Sequence, residues 1–254
     1  MKEKISKYFT DDDRNEALNL YEKYLLSKEK DIPMFGKNFY TPNIWTWFEK
    51  NLCSKDFKVE TNGFFQDAER RMISFNNLYD NTFPMKLIKI ENTSKFLDLT
   101  HRDFLGGILS LGIERNKIGD LLVDKNTCYV AVCEEIENFI IYNIDKISKV
   151  VCSAEVIDDF KLLPKVNFKE EIILVSSLRI DGVVSKIINV SRSNATAMIE
   201  QGQVLINYVK IKDKSYELKG EERITIRGFG KFILGNSIGN SKSGKIKIVI
   251  KKYT

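Results

Sequence analysis

Residue types that commonly build metal and catalytic sites are scarce in this chain. Its 254 residues include one histidine and four cysteines, and no two cysteines form a Cys-x-x-Cys pair. A structural zinc site needs four suitably spaced nitrogen or sulfur ligands, so we expect no metal or other cofactor, and reduced, structural thiols. His101 has no serine or cysteine nucleophile beside it in the sequence. This favours a structural residue at a helix start over a catalytic one.

Long apolar runs are also missing. No stretch approaches the roughly 20 apolar residues that cross a bilayer. The first residues, Met1 to Lys4, are not followed by the apolar segment of a secretory signal. We therefore expect a cytoplasmic protein with no membrane partner. At 254 residues the chain is long enough for two or three domains with cores of their own, and its hydrophobic fraction of 43% is ordinary for a globular protein.

Acidic residues are sparse in the C-terminal part of the chain. Residues 174–254 contain 15 Lys and Arg against 6 Asp and Glu, whereas residues 1–173 contain 25 against 29. The net charge of +5 therefore combines a C-terminal part of +9 with a remainder of −4. Concentrated positive charge is typical of nucleic-acid binding. The final lysines, in 244–252, follow a strand pattern and not an amphipathic membrane helix, so RNA is the favoured partner.

Residues 191–207 combine a helix start, a helix stop and a strand. Ser191 can cap the first helical turn, and Gly202 suits the left-handed residue that ends a helix. The apolar alternation over 204–206 then predicts a half-buried strand. Arg192 and the neighbouring hydroxyls would lie at the helix N-terminus, where free N–H groups and the helix dipole favour a phosphate oxygen.

This stretch resembles the S4 RNA-binding fold, and the match extends to both sides. Leu178-Arg179-Ile180-Asp181 begins a first helix, and the segment from Arg223 to Phe232 resembles the basic closing hairpin of that family. The resemblance implies an RNA-binding surface in which Asp181 orders Arg179 or the helix. The other groups would contact the RNA backbone and recognise the shape of the RNA. The residues assigned to this surface are Arg179, Asp181, Lys186, Ser191, Arg192, Ser193, Thr196, Asn207, Arg227 and Lys231.

The chain departs from the S4 pattern at two places. Tyr208 stands where S4 members usually have glycine, which leaves the type of the hairpin turn open, although Asn207 tolerates positive φ. Gln201 and Gln203 replace residues that are frequently basic, which removes phosphate contacts. Arg102, Arg115 and Lys117, upstream of the module, either extend the RNA footprint or are ordinary solvated charges.

A β-α-β-β-α-β order is predicted upstream of the S4-like module. The strands are 85–91, 119–123, 128–133 and 150–156, and the helices are 101–111 and 134–144, the second with Ile136, Phe139 and Ile140 inward. This is the ferredoxin-like arrangement of RRM modules. Only Tyr129 supplies an aromatic ring on the central strands. The pattern therefore favours a sheet used for packing or backbone contacts at least as much as one that stacks bases.

Two further stretches, Phe65 to Arg70 and Thr100 to Asp120, together with the S4-like module, resemble the YlmH family of bacterial S4 proteins. The resemblance covers nearly the whole chain. It implies a ribosome-associated RNA-binding protein involved in the rescue of stalled large subunits that carry peptidyl-tRNA. The same resemblance implies a connection of the protein with cell division.

The resulting prediction is a multi-domain α+β protein. An N-terminal α/β domain spans 1–82, an RRM-like domain spans 83–160, and an S4 RNA-binding domain with a C-terminal strand spans 174–254. We expect a non-catalytic monomer that binds ribosomal RNA of the large subunit and tRNA, with ribosomal or quality-control proteins as further partners. The alternatives are an S4-tagged pseudouridine synthase or methyltransferase, and a cell-division scaffold.

Overall fold

The computed structural model describes residues 1–9, 11–65, 68–94, 97–158, 163 and 168–253, without the side chains of residues 11, 12 and 253. The chain forms two compact units, Met1–Pro164 and Lys165–Thr254. Both mix helices with antiparallel sheets, so the predicted multi-domain α+β class is confirmed. The predicted boundary at 82/83 falls inside the first unit and stays a prediction. Residues 159–162 and 164–167, near the junction of the predicted second and third domains, lie outside the described residues.

The first unit contains five α-helices and eight strands among its described residues. The helices are α1 (Lys2–Tyr8), α2 (Asp11–Lys30), α3 (Pro42–Leu52), α4 (His101–Ser110) and α5 (Glu137–Asn143). The strands are β1 (Met34–Phe35), β2 (Val59–Asn62), β3 (Met72–Phe75), β4 (Met85–Asn92), β5 (Ile118–Asp124), β6 (Thr127–Cys133), β7 (Lys146–Ile147) and β8 (Val150–Val156).

The N-terminal part packs α1, α2 and α3 against a three-stranded sheet of order β1-β3-β2. Trp47 and Phe48 belong to the core between them. Trp45 is half-buried, donates its indole N–H to the Glu69 carbonyl oxygen at 2.8 Å and lies under the guanidinium of Arg71. Trp47 is therefore a core residue, and Trp45 packs against the same core from α3.

The middle part is a five-stranded antiparallel sheet of order β5-β6-β4-β8-β7. Its first four strands in this order have the ferredoxin-like arrangement that the sequence predicts. Helix α4 begins with a complete capping box between Thr100 and Asp103. Helix α5 differs from the prediction, because Glu134–Ile136 form a 3-10 turn and Phe139 is 47% exposed. Ile140 and Ile144, four residues apart, form the buried stripe instead, so the inward placement of Phe139 was wrong.

One end of this sheet is covered on the face opposite α4 and α5 by the N-terminal part. Phe39 and Met72 share a buried cluster there with three residues of the sheet, Met85, Ala131 and Cys133. Further along the same face, Lys89 is paired with Glu91 at 2.8 Å and with Glu155 at 3.2 Å. The N-terminal part thus covers one end of this face, and ion pairs between partly exposed side chains lie further along it.

The second unit contains a six-stranded antiparallel sheet of order β11-β10-β12-β13-β14-β9 with two helices packed on its core. Its elements are β9 (Phe168–Val175), α6 (Ile180–Ile187), α7 (Arg192–Glu200), β10 (Val204–Ile206), β11 (Val209–Lys210), β12 (Arg223–Ile226), β13 (Gly230–Asn240) and β14 (Ile246–Tyr253). The core contains Val183 and Val184 from α6 and Ala195 and Ile199 from α7.

Candidate nucleic-acid interface

The N-terminus of α7 presents hydroxyl groups and backbone donors to solvent. Ser191 caps the helix by accepting the N–H of Asn194 at 3.1 Å, as its position in the sequence predicts. Its hydroxyl also lies 2.9 Å from the Ser193 hydroxyl, and both residues are exposed. A helix N-terminus of this kind attracts anions through its N–H groups and dipole.

Asp181 fixes two arginines beside that helix end. Its carboxylate accepts hydrogen bonds from Arg179 at 3.1 and 3.3 Å, and from Arg192 at 3.0 Å on each oxygen. The Asp181 side chain is 5% exposed, whereas the Arg179 and Arg192 side chains are 42% and 60% exposed. The carboxylate is thus buried between two guanidinium groups that belong to partly exposed side chains.

Electrostatics keep this carboxylate ionised. Burial acts to raise the pKa of Asp181, but the hydrogen bonds from Arg192, Arg179 and the Gly182 backbone N–H outweigh burial and lower that pKa. The same contact raises the pKa of Arg192. Asp181 and both arginines therefore keep their charges, and each guanidinium group is anchored by two hydrogen bonds to the same carboxylate.

Arg227 and Lys231 lie at the opposite end of α7. Gly202 ends the helix with φ of +69°, and the next residue, Gln203, accepts the backbone N–H of Arg227 at 3.0 Å. Nine helical residues separate the two ends by about 14 Å at 1.5 Å per residue. Lys231 is exposed on β13, opposite Thr225 in the β12–β13 hairpin. The predicted surface therefore divides into two groups, one at each end of α7.

The remaining predicted residues occupy less central places. Asn207 uses its side-chain amide internally, because its oxygen accepts the Arg223 N–H at 3.0 Å and its nitrogen donates to Glu222 at 3.3 Å. Lys186 is exposed in the last turn of α6. Thr196 is half-buried on α7, one turn after Arg192. An RNA contact remains a prediction for each of the three.

The turn that follows β10 is a two-residue hairpin turn. Asn207 and Tyr208 both have positive φ, +46° and +68°, as a type I′ turn requires. Tyr208 thus adopts the left-handed conformation that glycine usually supplies at this position, and its hydroxyl accepts a hydrogen bond from Arg223 at 3.2 Å. Tyr208 therefore replaces the usual glycine of S4 members without changing the type I′ turn.

Two of the three basic residues considered upstream have structural contacts. Arg115 donates to the carbonyl oxygens of Ile118 and Gly119, and burial lowers its pKa to about 10. Lys117 donates to the Lys37 carbonyl oxygen at 3.1 Å and pairs with Glu135. These contacts give both side chains an internal role, whereas Arg102 is exposed at the start of α4.

A Gly-x-x-x-x-Gly-Lys string occurs at Gly239 to Lys245, and none of the sequence-based predictions uses it. It spans the end of β13 and the turn before β14, and Ile246 follows where a phosphate loop has serine or threonine. A phosphate loop leads from a strand into a helix, so this hairpin lacks the required context.

Metal clusters and membrane-spanning helices are both absent from the part of the chain that the structure describes. These residues contain no group of three or more His, Cys, Asp and Glu that could hold a metal ion. None of the described helices is both long and apolar enough to cross a membrane.

Comparisons with known proteins agree with the two-part arrangement. The family model described as "Putative RNA-binding domain in YlmH" matches residues 79–159, and the S4 domain model matches residues 178–224. The ribosome-associated protein quality control protein P2 of Bacillus subtilis (strain 168) is 27% identical over 202 residues, which cover 78% of this chain and 79% of that protein. The solved cell division protein ylmH from Streptococcus pneumoniae shares the fold, with a TM-score of 0.50 and 22% identity over 61% of this chain and 97% of that chain. The two matched models lie in the order that the sequence predicts, and the resemblance of this chain to the YlmH family of S4 proteins is confirmed.

Proposed function

We propose that this protein binds structured RNA of the large ribosomal subunit, together with tRNA, and acts in the rescue of stalled ribosomes. It does so as a non-catalytic, cytoplasmic monomer. The observation that carries the proposal is the buried carboxylate of Asp181, which holds Arg179 and Arg192 beside the N-terminus of α7. The ribosome-associated quality-control name of the Bacillus subtilis relative supports the cellular context.

The geometry suits the backbone of a folded RNA. Two pre-oriented guanidinium groups and the hydroxyls of Ser191 and Ser193 can contact neighbouring phosphates at one end of α7, while Arg227 supplies a cation at the other end. Such contacts fix register and orientation without reading sequence, and a rigid protein surface recognises structured RNA chiefly by shape and backbone. The excess of nine positive charges over residues 174–254 adds long-range attraction.

Filter binding of large-subunit ribosomal RNA across a salt series tests the RNA part of the proposal. We expect Arg179→Ala and Arg192→Ala to weaken binding and to reduce the salt slope by about 0.7–0.9 for each phosphate that the variant no longer neutralises. Lys242→Ala removes the same charge from the exposed β13–β14 turn and serves as the matched control. Affinities and slopes that match the control for both arginine variants would contradict the assignment.

Co-sedimentation with purified large subunits tests the ribosomal part. We expect the wild-type protein to pellet with large subunits, and to pellet more completely when they carry peptidyl-tRNA. We expect the Arg179→Ala, Arg192→Ala double variant to remain in the supernatant at the same salt concentration. A wild-type protein that stays in solution with both kinds of subunit would rule out the proposed role.

A further inference from the structure

An exposed aromatic ring stands at the tip of the β12–β13 hairpin of the second unit. Phe229 lies between β12 and β13 and is 44% exposed. The segment 223–234 contains three basic residues and no acidic residue. A solvent-exposed phenylalanine in such a segment contributes nothing to the core described for this unit.

The backbone holds this ring in a defined position. The Phe229 N–H donates to the Ile226 carbonyl oxygen at 3.0 Å, which closes a β-turn with Arg227 and Gly228 at its centre. Gly228 has φ of +84°, as the third residue of a type II turn requires, and Gly230 follows with φ of +118°. The ring is thus presented by a tight turn and not by a long loop, so little ordering is needed when a ligand contacts it.

Cations surround the tip. Arg227 and Lys231 lie two residues to either side of Phe229, and both are exposed. Lys252, on the neighbouring strand β14, pairs in register with Phe232 and is also exposed. One ring among three cations is unlike the core of a protein–protein interface, which is depleted of charge. It matches the combination of stacking aromatics and phosphate-binding cations that proteins use for unpaired nucleotides.

We propose that Phe229 stacks on an unpaired base of the bound RNA, with Arg227, Lys231 and Lys252 contacting the phosphates on either side. This inference rests on the proposed RNA-binding function and adds a second kind of contact to it. Bases within a duplex are already stacked on their neighbours, so the ring selects a bulge, loop or strand end. The second unit then recognises RNA by its backbone near the α7 N-terminus and by an unpaired base near the hairpin tip.

Two RNAs separate the contributions of the base and of the backbone. The first is a stem-loop, and the second is a blunt duplex with the same stem sequence and no unpaired base. We expect Phe229→Ala to weaken stem-loop binding roughly 5- to 140-fold, the equivalent of about 1–3 kcal/mol for base stacking. We expect duplex affinity to change less than twofold. Phe229→Tyr, which keeps an aromatic face, should retain stem-loop affinity.

Phe139→Ala is the matched control, because Phe139 is exposed to a similar degree, 47%, but lies on α5 of the first unit. It should leave both affinities unchanged. Equal losses on both RNAs for Phe229→Ala would overturn the stacking proposal, and so would unchanged stem-loop binding, the result expected if Phe229 contacts a protein partner. If wild type binds neither these RNAs nor ribosomal RNA, the proposed function itself fails.

A spectroscopic measurement reports stacking independently of affinity. Both native tryptophans, Trp45 and Trp47, lie in the first unit. In the Phe229→Trp variant, the fluorescence in excess of wild type therefore comes from the hairpin tip. We expect the stem-loop to quench this excess fluorescence and the duplex to leave it unchanged. If a saturating concentration of the stem-loop leaves this excess fluorescence unchanged, the result would contradict stacking.

Discussion

Asp181 joins two arginines that lie thirteen positions apart in the sequence. Because it is buried while each arginine remains partly exposed, its substitution removes an internal partner without removing the positive charges. Asp181→Asn should therefore lower the stability of the second unit by about 1–2 kcal/mol at pH 7, a value discounted for the exposure of the arginines. It should also weaken RNA binding, although the net charge becomes more positive. Tighter RNA binding by this variant would show that charge matters more than orientation.

The stability contribution of Asp181 has a defined pH dependence. Its pKa is lowered in the folded state, so its contribution is fully present above the unfolded pKa of about 3.9 and is lost as pH falls through the folded pKa. The stability difference between wild type and Asp181→Asn should therefore shrink as pH falls below about 4. Hydrogen exchange of peptides from the second unit at pH 7 and at pH 3 measures this difference. A difference that stays constant over this range would refute the ion-pair explanation.

At the scale of elements, two adjacent glycines of α4 are expected to respond oppositely to the same substitution. A Cβ on Gly106 would meet no atom within 4 Å, whereas a Cβ on Gly107 would lie 2.7 Å from Cγ1 of the buried Ile147. Gly106→Ala should stabilise the first unit by about 0.5–1 kcal/mol, because alanine favours a helix. Gly107→Ala should destabilise it by about 1–3 kcal/mol, because α4 must move away from β7.

Urea unfolding followed by tryptophan fluorescence measures both effects, since both tryptophans belong to the first unit. Each variant controls for the other, as they share the helix and the added methyl group. Shifts of the same sign would contradict the close packing of α4 on β7.

At the scale of the whole molecule, the described chain comprises two compact units, each with its own core. Within the first, Gly119 marks the close approach of the N-terminal part to the five-stranded sheet. A Cβ there would lie 2.8 Å from Cε1 of Phe39 and 2.9 Å from Cβ of Ala131. Asp120 accepts the backbone N–H groups of Glu69 and Arg70 beside it. Residues from both stretches that carried the YlmH resemblance therefore contact each other, while Gln66 and Asp67 lie outside the described residues.

Gly119→Ala should lower the midpoint of the tryptophan-monitored urea transition by an amount equivalent to about 1–3 kcal/mol. Gly182→Ala, in α6 of the second unit, adds a methyl group with no neighbour within 4 Å and should leave that transition unchanged. An unchanged midpoint for Gly119→Ala would mean that the N-terminal part does not pack closely on the sheet.

Local sequence determined where the elements begin and end. The Ser191 cap and the Gly202 stop were both predicted, because each depends on backbone hydrogen bonds within a few residues. The S4 and YlmH resemblances were readable for the same reason, since their motifs are short strings at fixed spacing. The ion pair of Asp181 with Arg192 was not predicted, and neither was the outward position of Phe139. Tertiary structure decided both, because the partner and the exposure of a side chain depend on how separate elements pack together.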